Sequence, residues 1–131
     1  MTARRLALPA ELARAAELAT WVEEAIAAWA LPPARAHALH LCAEEIFANI
    51  AMHAAPAAVE VLLEGDATAQ RLIFTDDGPP FDPTQAPPPP PVTDFDSLPI
   101  GGRGLLLVRR YADGMAYGRA QGRNRLELRF G

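Results

Sequence analysis

Gln70-Arg-Leu-Ile-Phe-Thr-Asp76-Asp77-Gly78-Pro79-Pro80-Phe81-Asp82-Pro83 joins an apolar run to a stretch that cannot continue it. Residues 70–75 carry the β-branched and aromatic side chains that suit a strand, and the Asp-Asp-Gly-Pro-Pro segment breaks the ladder. An aspartate at a strand end, followed by glycine, sets a fixed hydrogen-bond acceptor beside exposed backbone N–H groups. Asp, Gly and Pro are also the residues of any turn, and alone the segment reads more readily that way.

Working upstream, residues 57–63 form a second strand, joined to the first through Gly65-Asp66. Before it lie two helical patterns. Leu12, Ala15, Ala16, Ala19, Val22, Ile26 and Trp29 predict a helix from Pro9 to Ala30, with Pro9 in its first turn and Pro32-Pro33 ending it. Leu39, Ala43, Ile46 and Ile50 predict another over about 34–54, stopped by Pro56. Residues 3–8 read as a short edge strand. Downstream, residues 77–99 hold nine of the thirteen prolines, with Pro87 to Pro91 consecutive, which is a loop of polyproline II character. A third helix is predicted after Gly101-Gly102, over about 103–112, and then a hairpin of residues 114–119 and 125–130 around Gln121-Gly122.

The resulting order is β-α-α-β-β-loop-α-β-β, without the regular βα alternation of a doubly wound sheet. It predicts an α+β fold of two layers, helices packed on one face of a mixed, mostly antiparallel sheet. At 131 residues, half of them hydrophobic, residues 1–131 are expected to form a single domain.

Absences exclude whole classes of chemistry. The chain has no lysine, so Walker-type P-loops, Schiff-base enzymes and kinases of the eukaryotic type are ruled out. Cys42 is the single cysteine, which forbids an internal disulfide and a thiolate zinc site. Ser97, the one serine, lies in no nucleophile elbow. A net charge of −4 with scattered arginines argues against nucleic acid as a partner. The N-terminal apolar stretch is broken by Glu11, Arg14, Glu17, Glu23 and Glu24, so neither a membrane span nor a signal peptide is expected, and the cytoplasm is the expected location.

Two further features bear on function. Glu45 and Asn49, four apart on the second helix, share one face at the edge of its apolar stripe, as a cleft or simply a solvated flank would have it. Gly101-Gly102-Arg103-Gly104 opens the third helix, where backbone amides and the helix N-terminus suit an anion and Arg103 adds a charge-assisted contact. The plain alternative is a glycine hinge before a core helix. His37 and His40 lie away from the apolar stripe and lack the further partners a metal would need. Cys42 is expected in the core, and Trp21 and Trp29 are expected to anchor packing.

The three features in this order resemble the N, G1 and G2 boxes of the GHKL ATPase superfamily, the Bergerat nucleotide-binding fold. Within it, the short segment between the boxes, the Gly-Gly-Arg-Gly-Leu opening and the ending Gly122-Arg-Asn124-Arg-Leu-Glu-Leu128 resemble the bacterial anti-sigma-factor serine/threonine kinases. The resemblance implies ATP and Mg²⁺ as cofactors. It makes Glu45 the general base, Asn49 the Mg²⁺ ligand, and His53 a residue near the nucleotide. Asp76 accepts the adenine amino group, Gly78 lets the base pack close, and Asn124 supports Asp76. Gly102, Arg103 and Gly104 hold the phosphates under a lid of residues 84–100. The implied activity is phosphorylation of a STAS-type anti-sigma-factor antagonist in a partner-switching pathway, with a sigma factor and a second copy of the chain as further partners. Pro80 and Leu106 stand where relatives carry glycine. That departure motivates an alternative, a nucleotide-binding regulatory module with little or no kinase activity.

Overall fold

The computed structural model describes residues 2–53, 58–85 and 100–131, with the backbone alone for Gln85 and residues 100–104. Among the described residues five strands, β1 (Thr2–Pro9), β2 (Ala58–Gly65), β3 (Gln70–Asp76), β4 (Gly114–Ala120) and β5 (Arg123–Phe130), form one sheet in the order β1-β2-β3-β5-β4. Every described pairing is antiparallel. The fold is the expected α+β arrangement, the described residues adding three α-helices to the sheet, α1 (Ala15–Trp29), α2 (Pro33–His53) and α3 (Ile100–Tyr111).

Register follows from the period-two pattern. Val61 faces Leu6 on one side and Phe74 on the other, and Phe74 in turn faces Leu126. One face therefore carries Val59, Val61, Leu63, Leu72, Phe74, Leu126 and Leu128, all buried, and joins Leu18, Leu39, Ile46, Phe47 and Val108 of the helices in a single core. The other face carries Leu62 and the buried Ile73 among charged side chains, with Arg5 on Glu60 at 2.6 Å, Arg71 on Glu64 and Glu127, and Arg125 on Glu127. Such exposed pairs add little stability each and mark that face as the solvated one.

The helices depart from expectation in instructive ways. Pro9 does not open α1; it is the last residue of β1, an edge strand on which a missing N–H is tolerated. A turn of 3₁₀ helix, Leu12–Arg14, precedes α1. The buried face of α1 is Leu18, Val22 and Ala25, whereas Leu12 is 57% exposed and Ala16 is exposed. Alanines on every side of this helix satisfy a helical spacing in several rotations, and the large Leu18 decides among them. Ala30, in the left-handed conformation at φ 51°, ends α1, while Pro33 is the first residue of α2, where its absent N–H would have had no helical partner. In α2, Leu39, Ala43 and Ile46 are buried as predicted, with Cys42 and Phe47 beside them. Trp21 and Trp29 pack against the core. The helix α3 begins at Ile100, so Gly101, Gly102 and Gly104 lie within its first turns rather than ahead of it. The five-proline run lies outside the described residues, as do residues 86–99 of the expected lid.

The β2–β3 turn is closed by Asp66, whose carboxylate accepts the N–H groups of Thr68 and Ala69 and is held below its usual range by them. Gly65, before it, has φ +140°, and a Cβ there would lie 2.2 Å from the Ala69 carbonyl oxygen. Gly65→Ala is expected to lower unfolding free energy by at least about 1 kcal/mol in a denaturant titration, since alanine neither fits nor favours that conformation.

Candidate functional site

The C-terminal half of α2, the end of β3 and the β4–β5 hairpin meet around a shallow, open cleft. Ile46 and Ile50 of α2 and Leu126 of β5 make its walls apolar. Asn49 and His53, on the same face of α2, Asp76 at the end of β3, and Asn124 of β5 bring polar groups to it. Four of the residues singled out in the sequence thus line one cavity, although Asn49 and Asp76 lie far apart along the chain.

Asp76 is 6% exposed. Its Oδ1 accepts the Gly78 N–H at 2.9 Å and the Asn124 Nδ2 at 3.0 Å. Among the described residues no donor reaches its Oδ2, so a buried carboxylate keeps one acceptor for a ligand. The side-chain amide of Asn49 likewise has no hydrogen-bond partner among the described residues. His53 stacks on Phe81, ring centroids 5.2 Å apart and planes 17° from parallel, at the cleft lining.

Glu45 precedes Asn49 by one helical turn and is half-buried, but it does not line the cleft. Burial raises its pKa above the ordinary carboxylate value, and the neighbouring charge of Glu44 adds to the rise. Cys42, buried beside it, is pushed up to about 12, first by burial and then by Glu45, which leaves it an inert core thiol. Gly102, Arg103 and Gly104 belong to the first turns of α3, which packs against α2; the Arg103 side chain lies outside the described atoms. His37 meets Tyr111 edge-on, and His40 lies between Glu23 and Glu44.

Residues 8–130 match the family described as the histidine kinase-like ATPase domain. The chain belongs to this family.

One relative of this ATPase domain is the serine/threonine-protein kinase BtrW of Bordetella bronchiseptica, 38% identical over 94 residues, which are 69% of this chain and 66% of BtrW. The aligned region thus spans just under two-thirds of that relative. Family membership implies ATP as the ligand, and the cleft fits its base: apolar walls suit the faces of a purine, and the spare oxygen of Asp76 suits an amino group on its edge. No helix among the described residues is long and apolar enough to cross a membrane.

Two residues that line this ATPase domain's cleft, Phe81 and Tyr117, and one beside it, Arg119, are not evident from the sequence. Phe81 reads as part of a proline turn, and nothing in a lone aromatic marks it as a wall. Tyr117 lines the cleft and donates its hydroxyl to Asn124 Oδ1. Arg119 donates to Gly78 O at 3.1 Å and to Asn124 Oδ1 at 3.0 Å. For Tyr117 and Arg119 the signal was the hairpin register, which sets them opposite Leu126 and Asn124.

Proposed function

We propose that this chain is an ATP-dependent protein serine/threonine kinase of the anti-sigma-factor type, which phosphorylates a STAS-type anti-sigma-factor antagonist in a partner-switching pathway. The observation that carries the proposal is the convergence of Asp76 and Asn49, each with an unused polar group, on one cleft, with Glu45 one turn away. The kinase name of the relative supports the same chemistry. Asp76 binds the adenine amino group, and His53 and the apolar walls hold the ring. Asn49 would hold Mg²⁺, which when bound neutralises phosphate charge. Gly102, Arg103 and Gly104 take the phosphates at the N-terminus of α3.

Glu45 receives the proton of the acceptor hydroxyl as its oxygen bonds to the γ-phosphorus. The bond from that phosphorus to the bridging oxygen breaks, and ADP leaves. With no lysine in the chain, positioning and charge neutralisation fall to backbone amides, Arg103 and Asn49. A sigma factor and a second copy of the chain are the further partners we propose, with the whole of residues 1–131 acting as one domain in the cytoplasm.

Incubation with Mg-ATP and the STAS proteins of the same genome tests this. Phosphate is expected on a serine or threonine of one of them. Binding of ATP without transfer to any would instead favour the second reading, a nucleotide-dependent regulatory module, to which Pro80 and the position of Glu45 outside the cleft lining point.

A further inference from the structure

Asp76 does not by itself select adenine. Its spare Oδ2 takes an amino group, so it opposes inosine triphosphate, which carries an oxo group where adenine has its amino group. Cytosine also presents an amino group, and one carboxylate oxygen meets either base. What separates the two is area, since adenine is two fused rings and cytosine one. Discrimination on area comes from a wall that the base lies against.

The cleft has one apolar wall with surface to spare. Ile46, Pro83 and Leu126 are buried, so the fold has already covered them, and Ile50 and Tyr117 are half-buried. Phe81 lines the same cleft and is 39% exposed. Four large hydrophobic side chains are exposed among the described residues, and of these Phe81 alone reaches the cleft. Its ring is also held. His53 stacks on one side of it, and the Phe81 N–H donates to Asn124 Oδ1 at 3.4 Å. Asn124 Nδ2 in turn donates to Asp76 Oδ1 at 3.0 Å. One side chain thus ties the backbone of the ring to the carboxylate that meets the amino edge. An aromatic ring placed beforehand loses little further freedom when a flat ligand covers it.

We propose that Phe81 is a specificity-determining residue of the cleft: the base lies against its ring, and the area covered there sets a preference for a purine over a pyrimidine with the same amino group. The inference rests on the assignment of the cleft to a nucleotide. Stacking and the removal of apolar surface from water both grow with the overlap, so a two-ring base gains more from Phe81 than a one-ring base does. Asp76 and Phe81 then divide the recognition, the carboxylate choosing the edge and the ring choosing the size. Phe81 is no part of the buried core, so truncating it opens no hole there.

Affinities for Mg-ATP and Mg-CTP test the inference. They would be measured on the native chain, Phe81→Ala, Phe81→Leu and Phe81→Trp, with thermal unfolding of each without ligand. The native chain is expected to bind ATP more tightly than CTP. Phe81→Ala is expected to weaken ATP binding by about 5- to 100-fold, the worth of a base stacked on an aromatic side chain. CTP is expected to lose less, so that the ratio of affinities narrows by at least about threefold. Leucine, apolar but without a ring, is expected to restore part of the ratio, and tryptophan all of it. The indole introduced by Phe81→Trp is also expected to lose emission as ATP saturates the site. The native chain, whose Trp21 and Trp29 pack against the core, supplies the blank.

A structural role alone would move the unfolding midpoint and weaken both nucleotides equally. Equal losses in Phe81→Ala, equal native affinities, or an introduced indole whose emission ATP leaves unchanged would each overturn the inference, while native ATP binding left the assignment of the cleft standing. Should the alanine variant fail to fold, an unchanged ratio in folded Phe81→Leu overturns it in the same way. A native chain that binds neither nucleotide would overturn the site itself.

Discussion

Asp76→Asn is expected to weaken ATP binding by about 10- to 100-fold and to reverse the preference towards inosine triphosphate. A hydrogen bond to a charged partner contributes about 1.5–3 kcal/mol, which is that range in affinity. The substitution is close to isosteric, and the introduced carbonyl still accepts from Gly78 N–H and Asn124 Nδ2, the two bonds the Asp76 Oδ1 now makes. The turn should therefore keep its shape. What changes is the other end, where an NH₂ group replaces Oδ2 and opposes the amino edge of adenine donor to donor. Titration with both nucleotides, alongside an unfolding curve without ligand, separates loss of recognition from loss of fold. Native ATP affinity in a folded variant would place the base elsewhere.

The sequence revealed the strands because each carries its own evidence. Residues 58–65, 70–76 and 123–130 alternate or run apolar between turn residues, and the ladder adds only the register. It also drew attention to Asp76 and Asn49, since a polar residue at a strand end or at the margin of an apolar stripe stands out from its neighbours, whereas Asn124 was suggested by the family resemblance alone. The rotation of α1 was not legible: fifteen residues rich in alanine present no single apolar face until Leu18 meets the sheet. Arg119 and Phe81 were hidden for another reason. Their parts depend on which residue lies opposite across a strand pair, or on which loop folds back over α2, and neither is a local property. The glycines opening α3 were read correctly as a helix start but misplaced by a few residues, because propensity penalises glycine inside a helix and takes no account of what the helix packs on. Long-range partners choose among options that local rules leave equal.

Glu45→Gln is expected to reduce phosphoryl transfer by about 10²- to 10⁴-fold, the range for removing a general base, while ATP affinity stays within about twofold. The second expectation follows from geometry, because Glu45 does not line the base cleft. Stability gives an independent check. Burial and Glu44 raise the Glu45 pKa in the folded chain, so the folded state binds this proton more readily than the unfolded state does. The native fold therefore benefits from a protonated Glu45 below the unfolded-state value of about 4.3, and loses that benefit as pH rises through the folded value. Glutamine never ionises. The variant should accordingly unfold at a higher midpoint than the native chain at pH 7, and the gap should close as the pH is lowered to about 4. An inactive variant that binds ATP and is more stable at neutral pH has lost a base rather than its fold. Transfer at the native rate would remove Glu45 from the reaction. Lost ATP binding would move its role to the nucleotide, and a stability gap that persists at pH 4 would trace to packing rather than to charge.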